Sequence, residues 1–358
     1  MDCTPSPEAR LGAIGSRPAD RRLEAAAGAA LFAGLVSIAG VVAPLAGAEP
    51  ARPAPGHGGP PPGTIFVANA GTVLGGTGVD PGSVAVYRPG TSGDAHPQTL
   101  ITKGVNGPGD IALDRGGNLW VANESSDTVV EYSSRRLLAA SPVPSVVLSS
   151  SRASSLDNPN GIAFDPSGNL WVSNGGNSSV VEFTRGELAR SGSPRPRVSL
   201  ANPNLCSVSF DGAGNLWEGS TGDLVSEWTK DELGRSGSPA PRVSISSHKL
   251  AAPCRPTFDR RGNLWVAGGD NAVEWSKEEL SRSGSPEPKI TVSSRFLVAP
   301  GAVAVDTTGN LWVPSAGVNA VLEFTRSQLH KSGSPLPAAV IAGLDTGMDY
   351  PWAVVIKP

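Results

Sequence analysis

Residues 114–121 have the sequence Asp-Arg-Gly-Gly-Asn-Leu-Trp-Val, and related copies of this phrase begin at Asp165, Asp211, Asp259 and Asp306. The tryptophans of the five copies, at positions 120, 171, 217, 265 and 312, are therefore 51, 46, 48 and 47 residues apart. A period in this range indicates a ring or stack of supersecondary units, because one such unit cannot bury its apolar face alone. The repeat therefore sets the architecture of most of the chain.

Each repeat contains four short segments with the pattern of β-strands. In the copy around Trp171, residues 161–165 alternate larger apolar residues with small ones, which is typical of a strand packed on both faces. The turn sequence Pro166-Ser167-Gly168-Asn169 separates this strand from a second one at 170–172. A third strand at 179–183 and a fourth at 197–200 complete the unit. Four antiparallel strands form one propeller blade.

The two ends of the repeat region predict how the ring closes. Residues 63–69 match the second strand of the other copies, but no first-strand phrase precedes them. That phrase is found at 351–356, which matches 300–305. We therefore predict an all-β, six-bladed β-propeller of four-stranded antiparallel blades over residues 63–358, in which the C-terminal strand completes blade one. Closure of this kind removes open sheet edges.

A second repeated phrase lies between strands three and four. Thr184-Arg185-Gly186-Glu187-Leu188 recurs at 229–233, 276–280 and 325–329. Its Ser/Thr followed three residues later by Glu or Gln is the pattern of a capping box, and the following Ser191-Gly192-Ser193-Pro194 is a helix stop. We expect one or two helical turns on the outer rim. Blade two has residues 133–136 at this position, without the acidic partner.

The first 62 residues do not share the repeat. Arg21-Arg22 precede an apolar run at 25–45, and Ala46-Gly47-Ala48 has the small-x-small pattern of a cleavage site. We expect residues 1–48 to be a signal peptide, with retention as a single N-terminal membrane anchor as the alternative. Residues 49–62 are rich in proline and glycine and predict a disordered spacer. In either case the propeller is secreted or displayed at the cell surface.

Composition excludes some classes of partner. The net charge is −3 and only 17% of residues are charged, so the chain lacks a basic field for nucleic acid or an anionic membrane. We expect a monomer whose propeller binds neither.

Two cysteines occupy equivalent positions in neighbouring blades. Cys206 lies five residues before Asp211, and Cys254 lies five residues before Asp259. In an oxidising compartment this placement predicts a disulfide between blades four and five. The alternative is two small buried residues that are too far apart, since Cα atoms beyond about 7 Å cannot be bridged.

The phrase Asp-x-x-Gly-Asn-Leu-Trp-Val, preceded by Pro-x-x-Ile/Val-Ala, resembles the NHL-type repeats of six-bladed propellers. It also looks like bacterial propellers grouped with gluconolactonases of the senescence-marker type and with virginiamycin B lyase. The NHL resemblance implies binding of proteins, peptides or nucleic acid. The lactonase resemblance implies a divalent metal held by acidic and amide side chains at the channel mouth, and the lyase resemblance implies metal dependence with a catalytic histidine.

Loops before strand one and after strand two should meet at one mouth of the central channel. At this mouth several blades depart from the small or apolar residue of the repeat, and such departures are where function is expected. We predict ligand-binding roles for Asn69, Asp110, Asn123, Asn160, Asn174, Glu218, Arg255 and Trp352. Asp110 and Arg255 belong to blades two and five, which face each other across the ring. Two structural alternatives stay open: a Glu218–Arg255 ion pair, and asparagines that only cap loops.

Two functions are compatible with these residues. The first is a non-enzymatic binding module for a protein, peptide or glycan at the channel face. The second is a metal-dependent lactonase or lyase in which Asp110, Asn160 and Glu218 hold Ca²⁺ or Mg²⁺, cations that prefer oxygen ligands. His248 is then the candidate general base, since it is the histidine whose loop leads to the channel face.

Overall fold

The computed structural model describes residues 58–71, 80–150, 155–201, 205–220 and 222–358. The predicted leader, 1–48, and most of the predicted spacer, 49–57, lie outside the described residues, so both stay predictions. Residues 58–62 are described, and Pro60 among them is buried against the propeller, where its carbonyl accepts a hydrogen bond from Lys357 Nζ. Within these ranges no helix is long and apolar enough to cross a membrane.

The described strands form six four-stranded antiparallel sheets, each ordered from an innermost strand at the channel to an outermost strand at the rim. Blade one contains β24 (Pro351–Ile356), β1 (Ile65–Asn69), β2 (Ser83–Tyr87) and β3 (Thr99–Ile101). Blade two contains β4 (Pro108–Leu113), β5 (Leu119–Asn123), β6 (Thr128–Tyr132) and β7 (Val146–Ser149). Blade three contains β8 (Pro159–Phe164), β9 (Leu170–Asn174), β10 (Ser179–Phe183) and β11 (Val198–Ala201).

The other three blades have the same order, although two of them have short inner strands. Blade four contains β12 (Leu205–Phe210), β13 (Leu216–Ser220), β14 (Leu224–Trp228) and β15 (Val243–Ser246). Blade five contains β16 (Thr257–Phe258), β17 (Leu264–Gly268), β18 (Asn271–Trp275) and β19 (Ile290–Val292). Blade six contains β20 (Ala304–Val305), β21 (Leu311–Ser315), β22 (Ala320–Phe324) and β23 (Ala339–Ala342).

The ring closes as predicted. Strand β24 pairs antiparallel with β1, with Val354 opposite Val67 and Ile356 opposite Ile65. The chain's last strand is therefore the innermost strand of the first blade. The six-bladed all-β fold and its closure are confirmed.

The core lies between adjacent blades and is built on the repeated tryptophans. Trp120 of blade two is 2% exposed and packs with Ile162 and Val172 of blade three. Its ring meets Phe164 edge-on, with ring centroids 5.9 Å apart. Equivalent pairs, Trp171 with Phe210 and Trp217 with Phe258, join the next blades. Each blade thus covers the apolar face of its neighbour.

The repeated aspartates organise turns, as the sequence predicts. Asp165 Oδ1 accepts the amide hydrogens of Ser167 and Asn169 at 2.7 and 2.9 Å. Its Oδ2 accepts from Asn169 Nδ2 and from the indole N–H of Trp171. One carboxylate therefore fixes both the turn and the orientation of the tryptophan. These aspartates are structural.

The rim inserts of blades two to five form single 3₁₀ turns, at Ser134–Arg136, Glu187–Ala189, Glu232–Gly234 and Glu279–Ser281. Three further 3₁₀ turns lie in other loops, at Glu124–Ser126, Ala316–Val318 and Leu344–Thr346. Glu187 Oε2 accepts the amide hydrogen of Thr184 at 2.7 Å, which is one half of the expected capping box. The Thr184 hydroxyl donates to the same carboxylate instead of accepting an amide hydrogen. Leu188 is buried and anchors the insert.

The Ser-Gly-Ser-Pro phrase has a role beyond ending this turn. Gly192 N donates to Val147 O at 3.0 Å, and Gly192 O accepts from Ser149 N at 3.0 Å. Ser191 Oγ accepts the amide hydrogen of Val147 at 3.0 Å. The phrase thus pairs in parallel with β7, the outer strand of the preceding blade. The helix-stop interpretation missed this contact between blades.

Glutamates of the third strands are buried beside the turn aspartates. Glu182 is fully buried and forms an ion pair with Arg197 at 2.5 Å. Glu227 pairs with Arg242, and Glu274 Oε1 accepts from Asn263 Nδ2 at 2.7 Å. Loss of hydration raises the pKa of all three carboxyl groups, against the opposing effect of the neighbouring cations.

These shifts predict a contribution to stability that decreases as pH rises. The folded state favours the protonated form, so the contribution is complete below the unfolded-state pKa, near 4.5, and is lost as pH rises through the higher folded-state values. We expect a triple variant, Glu182→Gln, Glu227→Gln and Glu274→Gln, to become more stable relative to the parent as pH rises from about 4.5 to about 7.5. Urea unfolding at several pH values measures this difference. A difference that does not change with pH would contradict it.

Candidate functional site

The predicted channel mouth is held together by asparagine side chains. Asn123 Nδ2 donates to Gly104 O at 2.9 Å, and its Oδ1 accepts the amide hydrogen of Asn106 at 3.0 Å. Asn174 makes the equivalent contact through Oδ1 with the amide of Asp157 at 3.1 Å. Both amides therefore hold the loop that precedes their own blade's first strand. This is the geometry of the loop-capping alternative.

Asn69 makes the corresponding contacts in blade one. Its Nδ2 lies 3.1 Å from Ser83 Oγ and 3.2 Å from Gly347 O, and donates to both. Its Oδ1 is buried and has no hydrogen-bond partner among the described residues. Asn69 therefore differs from Asn123 and Asn174 in having one open acceptor.

Polar side chains also join neighbouring blades at this face, and the repeat pattern did not predict them. Asp127 Oδ1 accepts the amide hydrogen of Asn158 at 2.6 Å, and Asp223 Oδ1 accepts that of Ala252 at 2.6 Å. Asn319 Oδ1 accepts the amide hydrogen of Tyr350 at 2.8 Å. The three acceptors have positive φ, a conformation in which Asp and Asn are enriched among non-glycine residues. In these three blades, the aspartate or asparagine just before the third strand was the available sequence signal.

A β-bulge positions the inward-facing residues of the first strands. The pairing registers shift between Pro108 and Asp110 in β4 and between Pro159 and Gly161 in β8. Strand β24 contains the equivalent shift beside Ala68. The extra residues at these bulges include Asn160 and Trp352, two of the predicted site residues. Bulges commonly redirect side chains next to functional sites.

Asp110 lies directly after its bulge and is 1% exposed. Its Oδ1 accepts from Ile111 N at 2.8 Å and from Arg255 Nη1 at 2.7 Å. Its Oδ2 accepts from Ile162 N at 3.1 Å and from Ser207 Oγ at 2.9 Å. One carboxylate therefore ties together blades two, three, four and five. Burial raises the pKa of Asp110, while the Arg255 guanidinium and these hydrogen bonds oppose the increase.

Arg255 spans the channel to reach this carboxylate. Its side chain is 14% exposed, so the ion pair is largely removed from water. The sequence placed Asp110 and Arg255 in opposite blades, and the structure brings them into direct contact. The ion pair that Arg255 forms across the channel is thus with Asp110.

Glu218 is buried on the face of blade four that packs on blade three. In the sheet it lies between Val208 of β12 and Ser226 of β14.

The predicted disulfide is confirmed. Cys206 in β12 and Cys254, just before β16, are bonded, with their Cα atoms 5.1 Å apart. The bond joins the inner segments of blades four and five at the level of the channel mouth. Asn160 lies in the neighbouring blade, where its Oδ1 accepts from Ser173 Oγ at 2.9 Å.

An aromatic pair occupies the other side of the mouth. Trp352 is half-buried and stacks on Tyr350, with ring centroids 5.8 Å apart and planes inclined by 6°. Gly301 of blade six lies against the indole, because a Cβ at this glycine would be 2.6 Å from Trp352 Cδ2. Tyr350 has a φ of 56°, which is uncommon for a bulky residue. The sequence identifies Trp352 as a site residue but gives no signal for Tyr350.

His248 is placed away from the channel contacts. Its side chain is 67% exposed, and Nδ1 lies 3.7 Å from Glu287 Oε1. Glu287 belongs to the segment that leads into β19, the outermost strand of blade five. No contact between His248 and Asp110 is present among the described residues.

Two of the three predicted metal ligands, Asp110 and Asn160, are already engaged in hydrogen bonds. Asp110 already accepts four hydrogen bonds, and one donor is the cationic Arg255. Asn160 Oδ1 accepts from Ser173. Calcium and magnesium need several free oxygen ligands, and a guanidinium beside the carboxylate opposes a second cation. In the described part of the chain, no group of three or more His, Cys, Asp and Glu side chains could hold a metal ion.

A cavity of about 750 Å³ lies on the opposite, turn-bearing face. Its apolar wall includes Leu113, Phe164 and Phe210 at the ends of the first strands, and Arg115 and Arg185 stand at its polar side. The turn aspartates that also line it are occupied by turn amides. The other carboxyl group in the lining, Glu131, accepts a hydrogen bond from Ser145 Oγ at 3.0 Å, and loss of hydration raises its pKa.

Comparison with known proteins agrees with this architecture. The NHL repeat model matches residues 156–183, which contain the first three strands of blade three. No curated protein sequence matches the chain.

Solved structures with a similar fold include a protein of unknown function from Bacteroides caccae. It is 13% identical, with a TM-score of 0.53, over 82% of this chain and 98% of that one. Virginiamycin B lyase from Staphylococcus aureus is 13% identical, with a TM-score of 0.48, over 74% of this chain and 82% of the lyase. The WD40 β-propeller domain of Doa1 is 15% identical, with a TM-score of 0.41, over 62% of this chain and 65% of that one. At 13% identity, the likeness to the Bacteroides caccae protein concerns the fold alone.

Proposed function

We propose that this protein is an exported NHL-type propeller that acts as a non-enzymatic binding module, with a protein, peptide or glycan segment bound at the channel mouth. The proposal rests on one observation: both carboxylate oxygens of Asp110 are already engaged in hydrogen bonds and an ion pair. Its carboxylate is neutralised by Arg255 and saturated with hydrogen bonds, so it serves as a frame and not as a reactive group. Near Asp110, the half-buried Trp352 supplies an aromatic surface for a ligand, and the buried Tyr350 ring stacked on it fixes the orientation of the indole.

Rigidity of the mouth favours binding. The channel mouth is held in one arrangement before a ligand binds. The contacts that hold it are the Cys206–Cys254 disulfide, the Asp110 hydrogen bonds and the asparagine caps. A preorganised surface loses little conformational entropy on binding. Stacked aromatic rings with a polar edge are common anchors in binding surfaces. The low charge of the chain fits recognition by shape and stacking more than electrostatic steering.

The lactonase or lyase alternative has less support at this site. It requires Asp110, Asn160 and Glu218 to release their present contacts and accept a cation beside Arg255. It also requires a base, and His248 pairs with Glu287 at the periphery. We therefore favour binding over catalysis.

Export is part of the proposal. The Cys206–Cys254 disulfide supports an oxidising compartment, since disulfides persist outside the reducing cytosol. The leader at 1–48 would supply the export route.

Binding at the mouth should depend on Trp352. We expect a ligand found on peptide and glycan arrays to bind the Trp352→Ala variant at least about tenfold more weakly, because a buried aromatic anchor dominates such interfaces. Calorimetric titration measures the affinity. The matched control is Leu336→Ala, which removes a 65% exposed side chain from the outer rim and should leave binding unchanged.

The same preparation tests the enzymatic alternative. Metal content and lactone hydrolysis are measured with and without added calcium or magnesium. Stoichiometric metal that is lost in Asp110→Ala, together with metal-dependent turnover, would overturn the binding-module proposal. Array ligands that bind Trp352→Ala as well as the parent would remove the channel mouth as their site.

A further inference from the structure

The outer strand of blade one lacks the cover that protects the other five blades. Each of those outer strands forms a parallel bridge to a Ser-Gly segment of the next blade around the ring. The bridged pairs are Leu148 with Gly192, Leu200 with Gly237, Ile245 with Gly284, Val292 with Gly333 and Ile341 with Gly93. Among the described residues, β3 is the outer strand that makes no such bridge.

The sequence of blade two explains this gap. Its rim insert is one residue shorter than that of blade three and contains Leu137-Leu138-Ala139-Ala140-Ser141-Pro142 where blade three ends in Ser191-Gly192-Ser193-Pro194. Gly192 has a φ of 156°, and no atom lies within 4 Å of the position that a Cβ would occupy. Gly333 forms the equivalent bridge without a φ in this range, so the bridge does not itself require a glycine conformation. The blade two insert differs instead in its length and in having Ala139 where blade three has Ser191, whose hydroxyl accepts the Val147 amide hydrogen.

The open edge presents defined backbone groups. Ile101 pairs with Val84 as Leu148 pairs with Val129, so Leu100 and Thr102 occupy the positions of Val147 and Ser149. The Leu100 N–H and C=O and the Thr102 N–H therefore point outward, where the other blades bind Ser-Gly. No described residue pairs with these groups, and Leu100 is 42% exposed. An edge with free donors and acceptors is a template for another strand.

We propose that β3 is a second binding site, separate from the channel mouth, which accepts an extended Ser-Gly-Ser segment of a partner protein as an added parallel strand. The Ser-Gly segments that pair with the other five outer strands show which sequence fits such an edge. The glycine N–H would donate to Leu100 O, the glycine carbonyl would accept from Thr102 N, and the first serine hydroxyl would accept from Leu100 N. Pro144 of the blade two insert lies against Gly104, just after this edge, because a Cβ at Gly104 would be 2.4 Å from Pro144 Cγ. Strand addition of this kind gives affinity through main-chain hydrogen bonds.

A peptide with the sequence of residues 189–196, Ala-Arg-Ser-Gly-Ser-Pro-Arg-Pro, tests the site directly. Fluorescence polarisation with the full chain should show saturable binding of the labelled peptide. A peptide with N-methylglycine at the glycine position lacks the donated N–H and should bind at least about tenfold more weakly. Absence of binding, or equal binding of the two peptides, would overturn the proposal.

A protein variant provides the matched control. Replacing Ala139-Ala140-Ser141 with Arg-Ser-Gly-Ser, the sequence at 190–193, should cover the edge from within and abolish peptide binding. Circular dichroism and the thermal midpoint check that the ring is intact, and Trp352→Ala should bind the peptide like the parent. Undiminished binding to an intact replacement variant would contradict the proposal. A concentration-dependent dimer that blocks the peptide and is lost in this variant would assign the edge to a second copy instead.

Discussion

Replacing Arg255 with methionine is expected to lower the free energy of unfolding by about 3–5 kcal/mol, the usual cost of removing one partner from a buried ion pair. Asp110 would remain in the channel with 1% exposure and no counter-ion. Methionine keeps much of the side-chain volume, so the loss reports the missing charge more than a cavity. Urea denaturation near neutral pH measures it.

A double-mutant cycle separates the ion pair from other effects. Asp110→Asn keeps the shape of the side chain and removes its charge, so the Asp110→Asn/Arg255→Met double variant should be more stable than Arg255→Met alone. A loss below about 0.5 kcal/mol for Arg255→Met would show that the carboxylate is solvated and that the channel is open to water.

The stability lost in the Arg255→Met variant should also depend on pH. Burial raises the pKa of Asp110 above its usual value of 3.8, and removal of Arg255 raises the pKa further. The contribution of a carboxyl group with a raised pKa is complete below its unfolded-state pKa and is lost as pH rises through the folded-state value. The Arg255→Met variant should therefore lose less stability at about pH 4 than at about pH 7.

The sequence predicts the ring because the same combination of a turn aspartate and a core tryptophan recurs along the chain. Asp165 and Trp171 belong to one short phrase in which turn chemistry and core packing agree, and five copies make the pattern unambiguous. Closure by β24 follows from a phrase that is missing at 63 and present at 351. The disulfide follows from two cysteines at one position of adjacent blades. Each of these inferences rests on equivalent positions.

Contacts between different phrases are harder to predict. Ser191-Gly192-Ser193 looks like a helix stop because its partner, β7, lies more than 40 residues earlier in the chain. Asp110 and Arg255 stand out as departures from the repeat, but only the structure shows that each compensates the other. Tyr350 carries no motif, and its importance comes from the indole on which it stacks. The proposed binding site at the channel mouth consists of such combinations of residues, which comparison of the repeats does not contain.

The disulfide should contribute about as much stability as the ion pair. Its cysteines are 48 residues apart, and closing a loop of this length in the unfolded chain is worth about 4 kcal/mol in the chain-entropy model. Blade five has an inner strand of only two residues, so the bond also holds a segment with few main-chain hydrogen bonds. We expect the reductant-treated protein to unfold at a lower urea concentration than the oxidised protein.

The Cys206→Ser/Cys254→Ser variant is the control that separates the bond from other effects of the reductant. It should have the stability of the reduced parent in both conditions, because both cysteines of the bond are replaced. Hydrogen exchange should rise first around Cys254 and β16, where the bond fixes the chain, while the amides of blade two stay protected. If reduction left both the unfolding midpoint and this exchange unchanged, the inner segment of blade five would be held by its packing alone. The rim at the channel mouth would then be preorganised by Asp110 and the asparagine caps without help from the disulfide.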